Sequence, residues 1–119
     1  MELELLRVIQ EEDDMNKELC DEFINQIENL SKTVNSEEFI KDRFGTHLKA
    51  HVLEHYVLQA RRLIKYGEYA IVLEDLLSNL DEVSVTLDER TIDIARQAFG
   101  ERITEEIELL LESLAGKGG

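Results

Sequence analysis

Apolar positions recur every three or four residues along most of the chain, the spacing of a helix with one buried face. Leu3, Leu6 and Ile9 stand three apart and predict a first helix over about residues 2–12. Asp13 or Asp14 then offers an N-cap, and a second helix runs to about residue 33 on Leu19, Phe23, Ile27 and Leu30. Asn35 with Glu38 three later reads as the start of a short helix to Phe44, which Gly45 ends. The next helix covers about Thr46 to Tyr66, with Leu48, Val52, Tyr56, Ala60 and Leu63 as its buried stripe, and Gly67 terminates it. A further helix follows over about 68–80. The β-branched "VSVT" (83–86) breaks the pattern, and Thr86 with Glu89 opens a helix to Phe99. After a turn at Gly100 comes the last helix, "ERITEEIELLLESLA". The expectation is an all-α, single-domain bundle of about five to six helices over 1–115, with a flexible Gly-rich tail at 116–119.

Composition agrees with helix throughout. The 119 residues contain no proline to force a break, and 43% are hydrophobic, enough for one core. Charge adds more. Twenty-seven acidic and 13 basic residues give −14, a balance that argues against direct nucleic-acid binding and against anionic membrane surfaces. It suits a basic protein partner. The charge is also uneven: residues 1–38 carry −9, 39–66 carry +4 and 67–119 carry −9, so two acidic segments flank one basic helix. The N-terminus "MELELLRVIQEEDD" lacks the basic region of a signal peptide, no apolar run is long enough to span a membrane, and one cysteine, Cys20, excludes an internal disulfide. The expected location is the cytoplasm.

No catalytic or cofactor motif emerges. His47, His51 and His55 are four apart and read as a stripe on the basic helix, at roughly 0°, 40° and 80° around its axis. Zinc needs a third and usually a fourth ligand, which the local sequence does not offer. The residues three before these histidines are Phe44, Leu48 and Val52, not the glutamates of a di-iron bundle. "DDMNKE" lacks the glycine of a calcium loop. No phosphate-binding glycine loop or Gly-x-Ser-x-Gly is present. The chain is therefore read as a non-enzyme without a cofactor.

The stretch "KYGEYAIVLEDLLSNLDE" (65–82) is more informative. With Tyr69 as origin, Leu73, Leu76, Leu77 and Leu80 share one side of the helix, roughly −20° to 80°. Glu74, Ser78, Ile71 and Asp75 share the other, roughly 140° to 240°, with Glu68 just beyond. An isoleucine ringed by carboxylates has the make-up of a small binding patch. The expected partner-binding residues are Glu68, Ile71, Glu74, Asp75, Ser78, Asp81 and Glu82, joined by the acidic run Glu11, Glu12, Asp13 and Asp14.

The segment "LIKYGEYAIVLEDLLSNLDEVSVTLDERTIDIARQAF" also resembles the core of the MafI-like immunity proteins, small helical proteins of bacterial contact-dependent growth inhibition systems. The shared pattern is a helix ending near Gly67, Glu68-Tyr69, a helix with Leu73, Glu74, Leu77 and Leu80, the link Val83–Val85 and a helix starting near Leu87. It covers about residues 60–99. The resemblance implies an immunity protein that binds and neutralises a cognate toxin; such toxins are often nucleases, EndoU-like ribonucleases among them, and a ribonuclease is the expected partner. A ribonuclease must present cations to phosphate, and an acidic protein is a natural plug for such a cleft. The alternatives are an acidic helical adaptor or regulator of another basic protein, and a metal-binding bundle using His47 and His51 with distant carboxylates.

Overall fold

A computed structural model describes residues 15–34 and 37–116. Within them are five α-helices and one β-hairpin. Helix α1 is Lys17–Thr33, where Asn16 Oδ1 accepts from the backbone N–H of Leu19 at 3.1 Å. Strands β1 (Phe39–Asp42) and β2 (Gly45–Leu48) follow, and then α2 (Lys49–Ile64). After a tight turn come α3 (Tyr69–Glu82) and α4 (Glu89–Phe99), a single 3₁₀ turn at Gly100–Arg102, and α5 (Glu105–Leu114), capped by the Thr104 hydroxyl.

The helices close a ring. α1 packs between α2 and α4, α2 packs on α3, α3 packs on α5, and α4 touches α5. The ring encloses one core built from Phe23, Ile24 and Ile27 of α1, Leu53 and Val57 of α2, Leu73, Leu77 and Leu80 of α3, Ala95 and Phe99 of α4, and Leu111 and Leu114 of α5. Polar ties brace its outside. Arg96 grips Glu108 with both ends of its guanidinium, Nε to Oε1 at 2.9 Å and Nη2 to Oε2 at 3.1 Å, which locks α4 to α5. The hydrogen bond from Arg96 holds the Glu108 carboxyl below its ordinary pKa. Arg61 joins α2 to α1, donating to Asn25 at 2.6 Å and standing 3.4 Å from Glu28. Cys20 is fully enclosed among the core residues, and burial, helped by Asp21, pushes its thiol up to about 11.

The helices expected up to about residue 33, over 68–80 and up to Phe99 are present, the first of them capped by Asn16 rather than by Asp13 or Asp14, and residues 2–12 lie outside the described residues. The expected helix from Asn35 to Phe44 is instead a hairpin. Its pairing runs from Phe39 opposite Leu48 to Asp42 opposite Gly45, so Arg43 and Phe44 form a two-residue turn. The alternation of strands explains the change: Ile40 is buried while Phe39, one residue earlier, is exposed. Lys49 ties the hairpin to α2, donating its backbone N–H to Glu38 O at 2.9 Å and pairing its ammonium with the Glu38 carboxylate at 3.1 Å. α2 accordingly begins at Lys49, not Thr46, and His47 is a strand residue.

The buried stripe of α2 is Leu53, Val57 and Ala60, with Ile64 partly buried, rather than the set that includes Val52 and Leu63. The cap of α4 is Asp88, whose Oδ1 accepts from the Thr91 N–H at 2.8 Å, not Thr86. Hydrogen bonding from Thr91 holds the Asp88 carboxyl below its usual range. Gly67 performs the reversal expected of it. Its φ of +78° is a left-handed conformation that side chains disfavour, and its N–H donates to Ile64 O at 3.0 Å, so α3 is turned back along α2.

Candidate protein-binding face

α3 is held by its leucines. Val72, Leu73, Leu76, Leu77 and Leu80 are all buried, which fixes the rotation of the helix and leaves the opposite side to solvent. On that side Glu68, Ile71, Glu74, Asp75, Ser78 and Glu82 are exposed together. Ile71 is 56% exposed, a large apolar side chain among carboxylates. Asp81 is different. It is half-buried and accepts a hydrogen bond from the Ser113 hydroxyl, so it joins α3 to α5 instead of facing outward. The physical reason is its position on the flank of α3 nearest α5. Glu11, Glu12, Asp13 and Asp14 lie outside the described residues.

The fold sets a second acidic helix beside α3. α5 packs beside α3, and the Asp81–Ser113 bond joins their C-terminal ends. Neither helix contains a lysine or arginine: α3 holds Glu74, Asp75, Asp81 and Glu82, and α5 holds Glu105, Glu106, Glu108 and Glu112. Glu108 is neutralised by Arg96, but Glu105, Glu106 and Glu112 are exposed. Leu109 stands among them at 64% exposure. Two adjacent helices thus form one acidic surface with two apolar residues on it, Ile71 and Leu109. The run at 104–108 carries the acids in sequence, but only packing brings them beside α3, and Leu109 follows from the wheel of α5: Ile107, Leu111 and Leu114 share the core side, which puts Leu109 opposite them.

On its other flank α3 meets α2. Tyr56, Gln59, Ala60 and Leu63 of α2 and Val72, Asp75, Leu76 and Asn79 of α3 line an open groove of about 280 Å³. The outer side of α2 beside this groove carries Arg62 and Lys65, with the exposed Glu54 on its flank toward α1. His51, His55, Arg62 and Lys65 are exposed, and Tyr66 is 77% exposed at its end. His47 does not share this side, being in β2. Among the described residues no group of three or more His, Cys, Asp or Glu side chains is placed to hold a metal ion, and no helix is long and apolar enough to cross a membrane.

Comparison with protein-family models, with characterised proteins and with solved structures finds no match to this chain.

Proposed function

We propose that this protein is an immunity protein, which binds a basic toxin domain and blocks it stoichiometrically. The observation that carries the reading is the paired α3/α5 surface. It concentrates carboxylates on two helices that contain no lysine or arginine, and it sets Ile71 and Leu109 among them as apolar anchors. Such a surface complements a cleft built to hold phosphates: the carboxylates steer association, and the anchors supply contact area once docked. A toxin that cleaves RNA presents that kind of cleft. The resemblance of residues 60–99 to the MafI-like immunity proteins supports the same role, for which the protein needs neither a catalytic group nor a cofactor. It works in the cytoplasm on this reading, where a toxin that cleaves RNA would act.

Co-expression with the product of the gene immediately upstream tests the proposal. The expected result is rescue of growth and a stable complex whose association slows as salt is raised. Glu74→Lys combined with Glu106→Lys should reduce association on the order of tenfold or more, with helicity unchanged because both residues are exposed. Growth arrest that persists despite the protein, with no complex formed, would sink the immunity reading. Capture of a different basic protein, such as a cationic DNA-binding factor, would favour the adaptor role in its place.

A further inference from the structure

The outer faces of α2 and α3 differ in charge, and among the described residues neither face contains an ion pair. On α2, Lys65, Leu58, His51, Arg62, His55 and Tyr66 fall within roughly 100° of arc on the outer side. Arg62 and Lys65 make no ion pair among the described residues, whereas Lys49, Arg61 and Arg96 all do. On α3, Glu68, Ile71, Asp75 and Ser78 face the same way, again with no ion pair to a described residue. Leu63 and Tyr66 on one side and Ile71 on the other add exposed apolar area beside the groove.

We infer that this face binds a second copy of the chain, in a two-fold dimer that lays α2 of each copy over α3 of the other. A surface with a cationic helix beside an acidic one is self-complementary under one choice of axis. A two-fold running parallel to the helices, in the plane of contact, places α2 on the partner's α3 and preserves the level of each residue along the helix. Arg62 and Lys65, at the turn end of α2, then meet the level of Glu68 and Ile71. The segment around His55 and Gln59 meets the level of Asp75 and Ser78. A two-fold running across the helices would place cation on cation and acid on acid, which is repulsive. The charge pattern therefore selects the first arrangement, and the contact is isologous, so each charge pair occurs twice. Leu63, Tyr66 and Ile71 lie toward the turn end of this contact, next to Arg62, Lys65 and Glu68, so exposed apolar area and the charge pairs adjoin there. The dimer takes the α2 side of α3, while the toxin surface proposed above takes the α5 side, with Ile71 common to both. Binding of a toxin is thus expected to compete with self-association.

Sedimentation of the purified chain over a concentration series tests this without any toxin. The wild type should show a concentration-dependent dimer that dissociates in high salt. Arg62→Glu with Lys65→Glu should raise the dimer dissociation constant at least about tenfold, and Glu68→Lys with Asp75→Lys should do the same. Each variant alone opposes like charges at both contacts. Mixed together they pair opposite charges at both, so the mixture should form a heterodimer with about the wild-type affinity. Circular dichroism of each variant before mixing establishes that it is folded. A wild type that stays monomeric at millimolar concentration overturns the inference. So does a dimer that neither pair of reversals weakens, or one that mixing fails to restore.

Discussion

Replacing Leu77 with alanine is expected to cost about 2–5 kcal/mol of folding stability. Leu77 is fully buried on α3, the helix that touches both α2 and α5. Its truncation removes apolar area from the core and leaves a cavity that the neighbouring helices cannot close without moving. Urea denaturation provides the measurement: the midpoint should fall while the slope stays constant, the sign of lost stability in an otherwise unchanged domain. Ile71→Ala on the same helix provides the contrast, because an exposed position of this kind changes stability by only about 0.5 kcal/mol. Equal midpoints for Leu77→Ala and the wild type would mean that α3 is rotated from the orientation described, and the binding faces argued above would fall with it.

Phe23→Ala should cost about 3–5 kcal/mol. Phe23 is fully buried on α1, which packs against α2 on one side and α4 on the other, so its ring fills space that several elements share. Domains of this size are stable by about 5–15 kcal/mol in total, so the loss is a large share of the whole. The informative comparison is Phe44→Ala. Phe44 is 77% exposed in the hairpin turn, with the Arg43 guanidinium 5.0 Å from its ring centre. The same chemical change there removes an exposed ring and its cation–π contact, worth about 1 kcal/mol, and leaves no core cavity. If the two phenylalanines cost the same, the hairpin is not where the structure places it.

Much of the helical layout was legible because the apolar spacing of α1, α3 and α4 admits one buried face. On α3 the leucines at 73, 76, 77 and 80 cluster so tightly that the outer face follows by subtraction. α2 was harder for a definite reason. Val52, Leu53, Tyr56, Val57, Leu58, Ala60, Leu63 and Ile64 supply apolar residues over most of its circumference, so stripes beginning at Val52 or at Leu53 both satisfy helical period. Only packing against α1 and α3 chooses between them, and it chooses Leu53. The hairpin leaves no mark in the sequence because its turn is Arg43-Phe44, not the Asn-Gly or Asp-Gly pair that signals a two-residue turn. Four-residue strands are also too short for alternation to stand out against a helical background. At the proposed binding face, exposure of Ile71 and its acidic neighbours could be read from one helix, but the alliance of α3 with α5 could not. It depends on which helices become neighbours, and so does the diversion of Asp81 to Ser113.

The buried thiol of Cys20 has a practical consequence. Enclosed in the core with its pKa pushed up to about 11, it is almost entirely protonated at neutral pH and has no contact with solvent. An aqueous disulfide reagent therefore reacts with it only during excursions in which the domain opens, where the thiol regains ordinary acidity and access. Since the chain has a single cysteine, the labelling time course is one exponential with no assignment to make. When closing outpaces labelling, its rate reports the equilibrium population of opened molecules, rising about tenfold for each 1.4 kcal/mol lost. The chain thus carries its own clock for opening, and a bound partner that stabilises the closed form would slow that clock in proportion to its binding.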